Sequence, residues 1–219
     1  MDIEKKFLDH AYGYDDVSIV PGEFTINPEL ADTKFKIQEL EFDIPVLASA
    51  MDAVVSPEFA VNFNSKGGLS VLNLEGIYTK YNDYTDPLNS IISANENEST
   101  SIMQNIYSKD IDENLVAERV KEIKERSSIC AVSVTPANTK KLSPIAIEAG
   151  ADIIVVQSTV TTPRHFSKSI TGLNMSDLKK QIKIPLIVGN CVSYNVALEF
   201  MNTGVDGILI GVGPGAACT

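Results

Sequence analysis

Six short runs of aliphatic and β-branched residues constrain the fold more than any other feature of this chain. They lie at 45–49, 69–73, 129–133, 153–156, 185–189 and 207–211. Runs that stay apolar at successive positions are typical of parallel strands covered on both faces. The stretches between them have helical spacing and lie at 56–66, 112–126, 138–149, 174–182 and 193–203. The sequence therefore predicts an α/β fold.

A weak internal repeat supports this alternation. Residues 147–153 resemble residues 200–207, and in each a glycine, Gly150 or Gly204, ends a helix just before a strand. Gly67 has a similar place ahead of the second strand. This spacing of strands and helices is typical of βα units.

Two architectures fit six alternating βα units, namely a doubly wound open sheet and a (β/α)₈ barrel. The barrel needs two further units and about 250 residues in total. The sequence has 219 residues and stops just after a glycine-rich loop that follows the sixth strand. We therefore expect a truncated chain in which residues 1–219 are the N-terminal portion of a single domain. The polar stretch 76–111 is interpreted as a short surface excursion.

The charge balance limits the partners of the protein. The formal net charge is −11, and an acidic surface repels phosphate backbones, so nucleic acid is not expected as a partner. An anionic small molecule can still bind, because backbone amides and helix N-termini act locally. The N-terminus lacks the apolar run of a signal peptide, and no stretch of about eighteen apolar residues occurs, so we predict a cytoplasmic protein without membrane contact.

The glycine-rich loop at 211–218 carries the strongest local signal for chemistry. It follows the sixth strand, contains three glycines at alternate positions and leads to Cys218. Such a loop turns tightly and can direct several amides or carbonyls at one ion. A cysteine at the mouth of the sheet, among amide dipoles, can be held as a thiolate and act as a nucleophile. The alternative is a flexible loop that contains a small apolar cysteine.

Three further loops follow predicted strands. Ser49 and Asp52 precede a helix with Ser56 as its N-cap, and the alternative for them is a capped helix start with no other role. Asn190 either presents its amide to a ligand or satisfies a turn. The loop at 157–165 is rich in hydroxyls and amides and ends in His165, which is interpreted as a surface residue. Cys130 lies inside an apolar strand, and it and Cys191 are interpreted as core residues. The three cysteines are too widely spaced for a disulfide framework or a zinc site.

Taken together, these elements resemble the IMP dehydrogenase / GMP reductase family. Five segments are similar to family motifs in the same order: 14–21 to the "FDDV…VP" segment, 49–52 to the "S-P-M-D" loop, 68–73 to the second-strand region, 189–190 to the "G-G-N-V" turn and 211–218 to the "G-x-G-P-G-S-x-C-T" loop. The last motif is specific, and it favours a catalytic thiol over a structural turn. The resemblance implies a (β/α)₈ barrel, about six of whose eight units are present here, and a homotetramer of full-length chains.

The resemblance also implies a chemistry and a set of residues. Cys218 would attack C2 of a purine nucleotide, and hydride would pass between C2 and a nicotinamide. The covalent intermediate would then be hydrolysed or, in the reductase direction, would form with loss of ammonia. The implied residues are Ser49, Met51, Gly215 and Ala216 for the nucleotide; Gln157, Ser158, Thr159 and Asn190 for NAD or NADP; and the carbonyls of Gly211, Gly213 and Cys218 for a potassium ion.

Two residues depart from the family pattern. Gln157 stands where the family has an acidic residue that holds the nicotinamide ribose, and Ala216 stands where it has a phosphate-binding serine. The CBS pair that is usually inserted after the second strand is absent. This pattern is closest to a divergent, CBS-lacking branch of IMP dehydrogenase-related proteins. We predict NAD-dependent oxidation of IMP to XMP in guanine nucleotide biosynthesis. The alternatives are a GMP reductase that uses NADPH to convert GMP to IMP, and a non-catalytic nucleotide-binding protein.

Overall fold

The computed structural model describes residues 12, 14–127, 129–163 and 173–212. The strands in these ranges are β1 (Phe35–Ile37), β2 (Leu40–Phe42), β3 (Leu47–Ala48), β4 (Leu69–Asn73), β5 (Ala131–Val134), β6 (Ile153–Gln157), β7 (Leu186–Cys191) and β8 (Gly207–Ile210). The helices are α1 (Pro57–Asn64), α2 (Thr85–Ile92), α3 (Ser99–Tyr107), α4 (Glu113–Arg126), α5 (Thr139–Glu148), α6 (Met175–Gln181) and α7 (Tyr194–Asn202), with short 3-10 helices at Tyr14–Asp16, Pro28–Leu30 and Ile77–Thr79.

Strands β3 to β8 form one parallel sheet in which each strand lies beside the next one in the chain. Helices α1 and α4 to α7 all pack into one core on one face of this sheet, through Ala60, Val120, Leu142, Leu178 and Phe200. A doubly wound sheet has helices on both faces and a reversal of strand order. The sequential order and the one-sided helices identify the sheet as part of a (β/α)₈ barrel. The barrel prediction is confirmed, and the doubly wound alternative is excluded.

The other face of the sheet carries the apolar side chains of the barrel interior, among them Val71, Ile153 and Val155. An antiparallel hairpin of β1 and β2 packs against this cluster. Phe42 is buried there and stacks on Phe35, with 4.7 Å between the ring centroids. The hairpin therefore covers the interior near the start of the parallel strands. The sequence did not predict it, because each strand has only three residues and alternates with polar side chains.

The predicted start of the first helix is confirmed. The Ser56 side chain accepts a hydrogen bond of 3.0 Å from the Phe59 amide, and Pro57 occupies the first turn. We expect Ser56→Ala to lower the free energy of unfolding by about 1 kcal/mol, because that amide loses its capping partner. Urea denaturation of parent and variant measures the difference. Ser65→Ala, at the other end of α1, is the control and should cost less, since the Ser65 hydroxyl donates to an exposed carbonyl. An equal loss in both variants would contradict the capping role.

The internal repeat is also confirmed, and the structure gives its purpose. Gly150 and Gly204 adopt positive φ angles of 109° and 80° at the ends of α5 and α7. An aspartate follows two residues after each glycine. Asp152 accepts a hydrogen bond of 2.7 Å from the Cys130 amide just before β5, and Asp206 accepts one of 2.7 Å from the Leu186 amide at the start of β7. Asp152 also forms an ion pair with Lys124 of α4, the helix before β5, and Asp206 forms one with Lys179 of α6, the helix before β7. The repeat is thus a device that fixes a helix and two neighbouring strands to one another.

The interpretation of 76–111 as a surface excursion is wrong for the first residues of the segment. Residues Ile77–Thr79 are fully or almost fully buried against α4, and two helices follow them. Arg119 of α4 donates hydrogen bonds to three backbone carbonyls of the segment, at Tyr78, Tyr81 and Asn82. Polar composition misled the prediction, because the apolar anchors are few and stand apart in the sequence.

Candidate functional site at the carboxyl ends of the strands

Two adjoining clefts lie at the carboxyl ends of the parallel strands, where active sites of α/β barrels are found. The outer cleft has a volume of about 380 Å³. It is lined mainly by polar side chains in or just after the last residues of successive strands, namely Asn73, Ser133, Thr135, Gln157, Ser158, Thr159 and Asn190. The inner cleft, of about 300 Å³, leads towards the barrel interior and includes Ser49. Gln157 and Asn190 line both clefts. Motifs that are far apart in the sequence therefore meet at one place.

The loop after β6 is bonded to the end of β7. The Ser158 amide donates to the Gly189 carbonyl over 3.0 Å, and the Asn190 amide donates to the Ser158 carbonyl over 3.1 Å. The Ser158 hydroxyl lies 2.8 Å from both the Val160 carbonyl and the Thr161 hydroxyl, so it is engaged within its own loop. Among the described residues, the Gln157 side chain has no hydrogen-bond partner, so its amide is available to a ligand in either cleft.

Asn190 connects β7 to the loop that follows β8. Its side-chain amide donates a hydrogen bond of 2.9 Å to the Gly211 carbonyl, and the Gly211 amide donates to the Cys191 carbonyl over 2.9 Å. Gly211 has a φ of 105°, a conformation that favours glycine. Its carbonyl keeps a second lone pair, which suits the predicted role as a potassium ligand. The remaining predicted residues of this loop (Gly213, Gly215, Ala216 and Cys218), and His165, lie outside the described residues.

The loop after β3 carries Ser49 and Met51 on a tight turn. The Met51 amide donates to the Ser49 carbonyl over 2.8 Å, and the Val55 amide donates to the Met51 carbonyl over 2.9 Å. The Met51 side chain is 53% exposed. Ser49 lines the inner cleft. Met51, two positions further along the turn, is not among the described residues that line either cleft.

The Asp52 carboxylate in this loop joins three neighbouring segments by hydrogen bonds, which the sequence did not predict. The carboxylate accepts hydrogen bonds from the Asn73 side chain (3.2 Å), the Ile77 amide (2.7 Å) and the Tyr107 hydroxyl (2.7 Å). A Cβ at Gly76 would collide with this carboxylate, so a glycine is needed there. Burial, the hydrogen bond to Asp52 and its charge all raise the pKa of Tyr107 above its ordinary value, and the phenol remains a donor.

Sequence reasoning also missed the polar residues at the ends of β4 and β5. Asn73, Ser133 and Thr135 line the outer cleft. The sequence feature that could have identified them is a polar side chain near the end of an apolar run. Glu75 accepts hydrogen bonds from the Thr135 amide and the Asn138 side chain and so fixes the loop after β5. The described part of the outer cleft is thus lined by amides, hydroxyls and small apolar groups.

The described cysteines are core residues, as predicted. Cys130 and Cys191 are buried and free. Burial, and after it the charge of Asp152, raises the pKa of the Cys130 thiol to about 12, which makes it a poor nucleophile. Among the described residues, no group of His, Cys, Asp and Glu could hold a metal ion, and no helix is long and apolar enough to cross a membrane.

Comparisons with known proteins show the family of the chain. Residues 11–219 match the IMP dehydrogenase / GMP reductase domain. An uncharacterized oxidoreductase of Mycolicibacterium smegmatis is 30% identical over 213 residues, covering 95% of this chain and 57% of the relative. The inosine-5'-monophosphate dehydrogenase of Cryptosporidium parvum is 27% identical over 217 residues, covering 94% of this chain and 52% of the relative.

Among solved structures, an IMP dehydrogenase/GMP reductase-like protein from Corynebacterium glutamicum superimposes with a TM-score of 0.87 at 31% identity. That match covers 94% of this chain and 55% of the other. The chain therefore spans about half the length of the relatives that it matches. With a domain match over nearly the whole sequence and a barrel of the same architecture, the chain belongs to the IMP dehydrogenase / GMP reductase family.

Proposed function

We propose that the full-length protein oxidises C2 of a purine nucleotide, converting IMP and NAD⁺ to XMP and NADH. The observation that carries this proposal is the convergence of Ser49, Gln157, Asn190 and Gly211 at one edge of the barrel. Gly211 leads directly into the loop that contains Cys218. Family membership supports oxidoreductase chemistry, and the specific cysteine motif supports a covalent route.

In the proposed reaction the Cys218 thiolate forms a carbon–sulfur bond at C2 of IMP. A bound NAD⁺ would supply the acceptor for the hydride that leaves C2. The resulting thioimidate on Cys218 is then hydrolysed: water adds at C2, and the carbon–sulfur bond breaks to release XMP and the thiol. Ser49 and Met51 position the nucleotide, and the backbone amides of Gly215 and Ala216 contribute to phosphate binding.

The described side chains fit a nicotinamide ribose. Gln157 has an uncommitted amide that can both donate to and accept from ribose hydroxyls. Thr159 offers a hydroxyl with no side-chain partner in the described ranges, whereas the Ser158 hydroxyl is already engaged. Asn190 keeps its side-chain oxygen available, because only its amide nitrogen is bonded to Gly211. Potassium at the carbonyls of Gly211, Gly213 and Cys218 would hold the loop in a fixed shape.

The direct test incubates the full-length protein with IMP plus NAD⁺ and, separately, with GMP plus NADPH. The near-ultraviolet absorbance of the reduced nicotinamide is followed in both. We expect the absorbance to rise in the first mixture. A fall in the second mixture alone would identify a GMP reductase. If neither changes, and the parent and Cys218→Ala proteins bind nucleotide equally, the protein is a non-catalytic binder.

Changing Gln157 to glutamate should lower KM for NAD⁺ about fivefold. A carboxylate accepts hydrogen bonds from ribose hydroxyls more strongly than an amide does, and the two side chains have the same shape. Steady-state kinetics at saturating IMP measure the change. The matched control is Gln181→Glu, which adds the same charge at an exposed position at the end of α6. An unchanged KM in the Gln157 variant would argue that this side chain does not contact the cofactor.

A further inference from the structure

Two tyrosine hydroxyls from the segment after β4 converge on Asp52. Tyr107, the last residue of α3, donates a hydrogen bond of 2.7 Å to one carboxylate oxygen. Tyr78 donates a hydrogen bond of 3.1 Å to the backbone carbonyl of the same residue. We propose that Tyr107 is a positioning residue: through Asp52 it holds the loop of Ser49 and Met51 in the shape that binds the substrate. That this loop binds a substrate, and that the substrate is a purine nucleotide, rests on the proposed function.

The Asp52 carboxylate is held from three directions. Asn73 at the end of β4 donates to one oxygen, and the Ile77 amide and the Tyr107 hydroxyl donate to the other. The first two donors belong to the barrel and to the 3-10 helix packed on it. Tyr107 is the donor that belongs to a peripheral helix, and 40% of its surface is exposed. The position of α3 is thereby linked directly to the loop.

The end of α3 is fixed to the barrel, which gives the hydrogen bond a firm support. The Tyr81 hydroxyl donates to the Ile106 carbonyl over 3.1 Å, and the Ile106 side chain is buried. The Asp112 amide donates to the Thr79 carbonyl over 2.9 Å, so the two ends of the segment are joined. The outer residues of the segment face solvent, with Ile92 80% exposed. Tyr107 therefore lies at the border between the anchored and the exposed parts of the segment.

A displacement of Asp52 must displace its neighbours, because the loop is a closed turn. The Val54 and Val55 amides both donate to the Met51 carbonyl, and the Met51 amide donates to the Ser49 carbonyl. Without the Tyr107 hydroxyl, one carboxylate oxygen loses a charge-assisted hydrogen bond, and the turn has greater freedom. The bound loop geometry is then populated less often. Apparent affinity falls in proportion to that population, whereas the reacting groups themselves are unchanged.

The test uses the full-length protein and the Tyr107→Phe variant, which removes a single hydroxyl. We expect KM for the nucleotide to rise about fivefold and kcat to change by less than about twofold. Hydrogen exchange of the Val54 and Val55 amides should be faster by a similar factor. The matched control is Tyr194→Phe, because Tyr194 is 79% exposed and its hydroxyl has no partner among the described residues. The control should leave KM and exchange unchanged.

A second variant tests whether Tyr107 acts through Asp52. Asp52→Asn removes the charge that Tyr107 binds, so it should raise KM in the same direction, and the double variant should be less impaired than the product of the two single effects. Parental KM and parental exchange in Tyr107→Phe would overturn the proposal, as would an equal change in Tyr194→Phe. If the parent protein turns over no nucleotide, the proposed function fails. The exchange rates of Val54 and Val55 then decide the positioning role alone.

Discussion

Replacing Cys218 with alanine should lower kcat of the full-length protein at least about a thousandfold, because the covalent route loses its nucleophile. Nucleotide affinity should change little, since loop amides and the Ser49 loop would still bind the ligand. Initial rates of NADH formation measure the first quantity, and titration calorimetry with IMP measures the second. A variant that keeps more than about a tenth of the parental kcat would exclude a covalent mechanism at this residue.

The matched control for that experiment is Cys130→Ala. The Cys130 thiol is completely buried, and its raised pKa of about 12 keeps it protonated at neutral pH. It precedes β5, at the opposite end of the strands from the clefts. We expect normal kcat, with a small loss of stability from the missing sulfur. Equal inactivation of the two alanine variants would show that the loss at Cys218 reflects damage to the fold and not to the chemistry.

Removing the Asp206 side chain should have the largest effect on stability. Its carboxylate accepts hydrogen bonds from the Gln38 side chain, the Lys179 ammonium and the Leu186 amide. In Asp206→Ala the Leu186 amide and the Lys179 charge lose their partner in a place where the lysine is only 21% exposed. We expect the free energy of unfolding to fall by about 3 kcal/mol, as measured by urea denaturation.

The control is Asp177→Ala, because Asp177 pairs with Lys180 on the surface of α6. Exposed ion pairs contribute about 0.5 kcal/mol, so this variant should be nearly as stable as the parent. Similar losses at Asp177 and Asp206 would contradict the role assigned to the repeated aspartates. A third variant, Asp152→Ala, should behave like Asp206→Ala, since its carboxylate makes the equivalent contacts with Lys124 and the Cys130 amide.

The same carboxylate predicts a dependence of stability on pH. Burial raises the pKa of Asp206, but hydrogen bonds from Lys179, Gln38 and the Leu186 amide outweigh it and hold the pKa below its ordinary value. A folded pKa below the unfolded value means that the stabilisation is fully present above about pH 4 and is lost as the pH falls through the folded pKa. The parent should therefore lose stability below about pH 4 more steeply than Asp206→Asn.

The six parallel strands and the five helices between them were predictable because each has its own local pattern. The choice between a barrel and a doubly wound sheet was not predictable from that pattern, because it depends on which strands pair over long distances. The hairpin of β1 and β2 and the helices α2 and α3 were missed. The strands of the hairpin are short, and the surfaces of the two helices are mostly polar. Their few apolar residues can be recognised as core residues only from their packing on the barrel.

The positions of Gln157 and Asn190 in the clefts were predictable, because the ends of strands are recognisable in the sequence. Gln157 and Asn190 each follow an apolar run, and parallel strands bring such ends together. The contact between Asp52 and Tyr107 could not be predicted, since the residues are 55 positions apart and nothing in either neighbourhood indicates the other. The engagement of the Ser158 hydroxyl was equally hidden, because it depends on how its loop folds back.

The most direct measurement of the central claim is mass spectrometry of the full-length protein quenched in acid during turnover of IMP and NAD⁺. Digestion should yield a peptide containing Cys218 that carries the mass of the purine nucleotide adduct, and the adduct should be absent when NAD⁺ is omitted. Turnover without any adduct on that peptide, or an adduct on a different cysteine, would contradict the assignment of Cys218 as the nucleophile.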